Sequence, residues 1–191
     1  MNRRTYLAAV AGGLALAGCV GDEGDDSADA DEDDSYQRLV EDEEFPPVSE
    51  PADVPSEPLC GVCNMTPADY PHANAQVVHE NEARQFFCSP GCLTTYTVAP
   101  DAVAETDSPI ATAWARDTNH EELVAAEDLY WVLDTNPDRG IDPMRNPLPY
   151  EEHDDALAWV EDHGNLAPAD IVTTDEITVA DVEEYRAFYM E

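Results

Sequence analysis

The chain is 191 residues long, with 43 Asp plus Glu against 8 Lys plus Arg and a formal net charge of −35. Every basic residue is an Arg, and no Lys is present. That charge excludes a nucleic-acid binder, because phosphate recognition needs a basic footprint. It also excludes a polybasic membrane-surface binder. The length suits one domain with appendages. Acids are spread over segments that also carry Trp, Tyr and β-branched residues, so a folded body is expected rather than disorder. A Lys-free acidic surface fits a halophilic setting, where the Debye length falls to roughly 3 Å or less and self-repulsion is screened.

Residues 1–18 read as an export signal. Arg3 and Arg4 form a charged start that resembles a twin-arginine signal, and Leu7 to Leu16 are nearly all apolar. The run is shorter than the about 20 residues that span a bilayer. Leu16-Ala17-Gly18-Cys19 resembles a lipobox, with Cys19 as the lipidated residue. The body is therefore expected at the extracytoplasmic face of the cell membrane, held by lipid. An uncleaved anchor helix is the alternative.

Residues 19–58 read as a tether. From 20 to 58 there are sixteen acids and one Arg (Arg38), with prolines gathered between Pro46 and Pro58. Charged linkers self-repel, and Pro-rich ones stiffen toward polyproline II. An acidic cation-binding arm is the weaker rival.

The folded domain is expected over 59–170. Asn74–His79 and Arg84–Cys88 read as two strands joined by a turn. Ser89-Pro90 opens a helix, with Ser as N-cap and Pro at the first position, ending before Pro100. The order then recurs: strands at Ile110–Arg116 and Leu129–Leu133, and a helix over Tyr150–His163 closed by Gly164. Two consecutive strand-strand-helix units predict an α+β fold, an antiparallel sheet with helices on one side. Residues 171–191 are expected as a C-terminal extension with a helix from Val179 to Met190.

Chemistry concentrates between 60 and 92. Cys60-Gly-Val-Cys63-Asn-Met65 is followed, after a gap of 24 residues between Cys63 and Cys88, by Cys88-Ser-Pro-Gly-Cys92. The first pair falls in a knuckle before the hairpin; the second spans the strand end and the first helical turn. Such elements can converge on one point, as in a treble-clef-like metal site. A helix N-terminus favours the thiolate that binds metal. Cys63 and Met65 are two residues apart, so in an extended segment they share a side. Thiolate plus thioether is a soft pair that selects Cu(I). Four Cys alone favour tetrahedral Zn(II). Met144, in the loop Asp142-Pro143-Met144-Arg145, is a candidate third sulfur, and His72 and His79 are the nearest imidazoles.

Blander readings stay open. Exported cysteines often form disulfides, so Cys60–Cys63 and Cys88–Cys92 are possible pairs. Methionine is more often core filler than ligand. A thiol–disulfide oxidoreductase at Cys60-x-x-Cys63 is disfavoured, because Asn64-Met65-Thr66-Pro67 argues against the helix such sites usually open. The sequence shows no Gly-rich phosphate loop, no Ser-His-Asp arrangement and no His-Glu-x-x-His.

The lipobox at Cys19, Cys60-x-x-Cys63-x-Met65, Phe87-Cys88, Trp114-x-x-Asp117, Tyr130-Trp131-Val132-Leu133 and Pro143-Met144 together resemble the NosL family of copper-binding lipoproteins. The resemblance covers roughly 60–166. It implies a fold of doubled strand-strand-helix units, related to the metal-binding half of organomercurial lyases. It implies a non-enzymatic role: holding Cu(I) and delivering it to a nitrous oxide reductase-like copper enzyme. The Cys-x-Met pair maps onto Cys63 and Met65, and the Pro-Met loop onto Met144. Cys60, Cys88 and Cys92 also resemble a TRASH-type metal-sensing module, which implies a four-Cys cage for Zn(II) instead.

Overall fold

The computed structural model describes residues 39–40 and 45–190. The export signal, Cys19 and the acidic run to residue 38 lie outside the described residues. Strands β1 (Leu39–Val40), β2 (Ala75–His79) and β3 (Arg84–Phe87) are followed by helix α1 (Pro90–Val98) and a short α2 (Pro100–Val103). Then come β4 (Ile110–Arg116), β5 (Leu123–Ala125), β6 (Tyr130–Val132), β7 (Leu148–Tyr150), α3 (His153–Asp162), β8 (Ile171–Thr173) and α4 (Val179–Arg186).

Two antiparallel sheets result, one in the order β1-β3-β2-β4-β5 and one in the order β7-β6-β8. The class is α+β, as expected. The finer pairing differs from a single sheet. Ile110–Arg116 pairs with β2, Ala75 opposite Ala115 and Val77 opposite Ala113. The strand around Trp131 joins the second sheet instead, opposite Pro149 and Val172. The strand-strand-helix order does recur, but its second instance is β6-β7-α3. Three-residue strands such as β5, β7 and β8 are too short to show a period of two, which is why their pairing was not legible.

The centre of the first sheet is covered on both faces, and β2 and β3 are buried along their whole length. A strand interior to both layers needs no polar face. On one face Ala75, Val77 and Phe87 join α1 residues Cys92, Leu93 and Tyr96 in the main core. The Phe87 and Tyr96 rings lie 5.0 Å apart. On the other face Phe86 meets Phe45, ring centroids 6.0 Å apart.

Chain between 45 and 58, expected within the tether, packs on the sheet through that second contact. Gln76 accepts from the Ala52 N–H at 2.9 Å and donates to the Ala52 carbonyl at 2.8 Å. Arg84, 1% exposed, donates to the carbonyls of Pro46 (2.7 Å), Pro47 (3.1 Å) and Glu50 (3.2 Å). A polar side chain inside a buried strand must find partners; Gln76 and Arg84 find them in this strap.

The C-terminal segment is likewise part of the body. Ile177 and Val182 are buried in the main core, and α4 packs on α1. Its helix starts at a capping box, Thr178 accepting from the Asp181 N–H while Asp181 accepts from Thr178.

Asp117, from the Trp-x-x-Asp stretch, joins the two sheets. It follows β4 and accepts from the N–H groups of Asn119 (2.8 Å), His120 (2.7 Å) and Glu151 (2.8 Å), the last just beyond β7. Among the described residues no helix is long and apolar enough to cross a membrane.

Candidate metal centre

The Cys60–Met65 knuckle is a closed loop. The Cys60 N–H donates to the Met65 carbonyl at 2.8 Å and the Asn64 N–H to the Cys60 carbonyl at 3.1 Å. Asn64 sits at φ 61°, a left-handed conformation that Asn tolerates. The Gly61 N–H donates to the Phe86 carbonyl at 3.2 Å, which seats the knuckle against the end of β3. A Cβ at Gly61 would stand 2.7 Å from the Gln85 side chain, so a larger residue there would have to displace it.

Cys88 follows β3, and Cys92 lies in the first turn of α1. Pro90 takes the first helical position as predicted. Ser89 takes the N-cap position, but its hydroxyl makes no cap bond. Its carbonyl accepts from Cys92 N–H and Leu93 N–H, and its Oγ turns to Arg186.

These elements bring all four cysteines together. Their sulfurs lie within 4.8 Å of one another. Cys63 and Cys88 are 3.3 Å apart, Cys88 and Cys92 3.9 Å, Cys92 and Cys63 3.8 Å. The four are free thiols, so the predicted alternative of two disulfides is not formed. Four sulfurs at Zn–S bonds of about 2.3 Å in a tetrahedron stand about 3.8 Å apart. The donors therefore fit a metal ion. The Cys63-Cys88-Cys92 triangle suits three-sulfur Cu(I) and equally one face of a tetrahedral Zn(II), with Cys60 as the fourth corner.

Burial is unequal around the cluster. Cys60, Cys88 and Cys92 are wholly enclosed, and Cys63 is half-buried. The thiols are driven apart in acidity. Burial pushes the Cys60 thiol well up. Hydrogen bonds among the sulfurs push Cys88 up. Hydrogen bonds from Cys60 and Cys88 bring Cys63 down. Hydrogen bonds from Cys60, Cys63 and Cys88, then the charge of Arg186, hold Cys92 well below the usual thiol range. A metal ion bound by these sulfurs would displace their remaining protons.

Met65 and Met144 are half-buried and, like Cys63, packed against the core cluster that contains Cys60, Cys88 and Cys92. The Met144 loop is pinned by Asn146, whose Nδ2 donates to the Met144 carbonyl and to the Ile141 carbonyl at 2.6 Å. His79 is spoken for elsewhere. Its Nδ1 donates to the Ser108 carbonyl at 2.7 Å, so its Nε2 accepts from the Tyr96 hydroxyl at 3.0 Å. His72 is half-buried, outside the four-sulfur group.

One residue of the centre had no signal in the cysteine pattern. Arg186, from α4, is 2% exposed and donates through Nε to the Cys92 sulfur at 3.4 Å. It was visible in sequence only as the one cation of an acidic terminal helix.

Fold and site together define a small α+β domain built around a four-thiol cluster able to hold a metal ion. The chain belongs to the NosL family, whose sequence profile matches residues 51–182. The copper chaperone NosL from Shewanella denitrificans shares the fold: its crystal structure aligns with a TM-score of 0.56 at 19% identity, covering 71% of this chain and 99% of that one. No curated protein matches the chain in sequence.

Proposed function

We propose that the protein is a Cu(I) carrier rather than an enzyme. It would be tethered by lipid on Cys19 at the extracytoplasmic face of the membrane and would pass copper to an acceptor enzyme of the nitrous oxide reductase type. Family membership supports the reading, and the neighbour of similar fold is a copper chaperone. The observation that carries it is the partial exposure of Cys63 beside three enclosed sulfurs. A carrier must hold its ion without sealing it, and an acceptor's ligand can reach the ion only where a sulfur is open. Soft donors select Cu(I). Cys63 supplies the exchangeable thiolate, and the thioethers of Met65 and Met144 join and leave as copper moves. Cu(I) is thereby exchanged from ligand to ligand without being released.

Anaerobic Cu(I) titration against a competing chelator tests this. Cys63→Ser and Met65→Ala each lower the affinity; unchanged affinity in both overturns the reading. A second reading, a zinc-stabilised four-Cys module, is favoured by the complete enclosure of Cys60, which closes the tetrahedral set. Tightly retained zinc that excess Cu(I) fails to displace, with unfolding on chelation, would decide for it.

A further inference from the structure

The geometry points to Arg186 as the positioning residue of the metal centre: it fixes the Cys92 sulfur as the retained ligand and so leaves exchange to Cys63. The inference rests on the reading of the four cysteines as metal ligands.

Arg186 is fully engaged. Its Nε donates to Cys92 Sγ at 3.4 Å. One terminal nitrogen donates to the carbonyls of Arg145 (2.8 Å) and Tyr185 (2.9 Å). The other donates to Ser89 Oγ (3.0 Å) and Asn146 Oδ1 (2.6 Å). None of these partners is a carboxylate. A guanidinium enclosed this far needs a counter-charge, since an uncompensated buried charge is strongly destabilising. The negative partner at hand is sulfur. Conversely, four thiolates around a monovalent or divalent ion leave net negative charge in an enclosed site, and a cation hydrogen-bonded to one of them removes part of it.

The contacts also define a mechanical junction. They tie α4, the N-terminus of α1 and the loop that carries Met144 to a single sulfur. Gly91 is what permits this approach. A Cβ there would lie 2.7 Å from Asn146 Oδ1 and 2.8 Å from an Arg186 terminal nitrogen. The glycine of Cys88-Ser-Pro-Gly-Cys92 therefore answers to a residue 95 positions away in the chain. Cys63, by contrast, is partly exposed on the knuckle, and its sulfur hydrogen-bonds to those of Cys88 and Cys92. Ligands outside the donor set that orient a metal-bound side chain commonly matter to affinity ten- to a hundredfold.

Co(II) is the probe, because its thiolate charge-transfer band reports the electron density on sulfur. Full-length protein, Arg186→Met and Arg186→Lys are titrated with Co(II), and cysteine alkylation in the Co(II)-loaded proteins is followed residue by residue by mass spectrometry. In Arg186→Met, affinity falls about tenfold or more. The band moves to lower energy, because an unshielded sulfur donates more readily, and Cys92 loses its protection from alkylation. Arg186→Lys restores the charge without the planar five-donor fork, so the band returns while affinity recovers only in part. A purely structural role would lower the melting temperature of the metal-free protein and leave the band of the bound metal in place. If Arg186→Met does not fold, the band and alkylation order of Arg186→Lys and Asn146→Ala decide. Wild-type band, affinity and alkylation order in these variants overturn the assignment. Failure of the wild-type chain to bind Co(II) overturns the metal-centre reading and this assignment with it.

Discussion

The Gly91 N–H donates to Asn146 Oδ1 at 3.1 Å, joining the first turn of α1 to the loop after Met144. No methyl group fits between them. Gly91→Ala must therefore displace Asn146 or Arg186. Overpacking of this kind costs roughly 1–3 kcal/mol. Chemical denaturation of the metal-free protein should show that loss, and the metal affinity should fall as well, because the displaced groups are the ones that hold Cys92. Intact stability in Gly91→Ala would contradict the packing described.

The 3.3 Å approach of the Cys63 and Cys88 sulfurs makes this pair the first to oxidise. A mild oxidant that accepts two electrons converts the two thiols into one disulfide with loss of two protons. Mass spectrometry of the digested protein should find Cys63 joined to Cys88, metal uptake should be lost, and a reductant should restore it. Uptake that survives full oxidation would remove these sulfurs from the ligand set.

Asp117 gives a pH dependence with a definite sign. Burial alone would raise its carboxyl, yet backbone N–H donors from Glu151, His120 and Asn119, with the His120 ring, hold it below the usual carboxylate value. A carboxyl depressed in the folded state stabilises the fold above the unfolded value of about 3.9, and that contribution is lost as pH falls through the folded value. Asp117→Asn should cost about 1–3 kcal/mol at neutral pH, where an amide cannot satisfy the same donors. The gap between the two proteins should close below about pH 4. A pH-independent gap in urea melts would show that the carboxylate's charge is not the cause.

Arg84 anchors the strap between 45 and 58. Arg84→Met leaves the carbonyls of Pro46, Pro47 and Glu50 without their donor, a loss of about 2 kcal/mol. The strap should then become the first site of cleavage in limited proteolysis, well before the cysteine knuckle. Unchanged cleavage would mean the strap is held by Phe45 and Ala52 instead.

What sequence reasoning reached, it reached through local chemistry. Cysteine spacing, Ser89-Pro90 and the strand character of Asn74–His79 and Arg84–Cys88 are short-range signals, and they located the four sulfurs and the elements around them. Long-range relationships were out of reach. Nothing near Ile110 says that it pairs with β2 rather than with the strand of Trp131. Arg186 stands 94 residues from Cys92, in a helix whose other charges are acidic. Gln76 and Arg84 did leave a trace, as polar residues inside strands otherwise fit for burial. Asp117 was recognised as part of a stretch, but its partner Glu151 lies 34 residues on and contributes only a backbone N–H.

The arginines carry one more consequence. From Arg84 onward none is exposed: Arg84 and Arg186 are buried, and Arg116, Arg139 and Arg145 are half-buried. They serve as internal struts, donating to carbonyls, to sulfur and, at Arg139, to the carboxylate of Asp134 at 2.9 Å. Among the described residues the outer shell of this body is thus predominantly negative, with no fully exposed Arg to balance it. Its neutrality has to be supplied by the surrounding electrolyte, which makes dissolved cations a working component of the folded state.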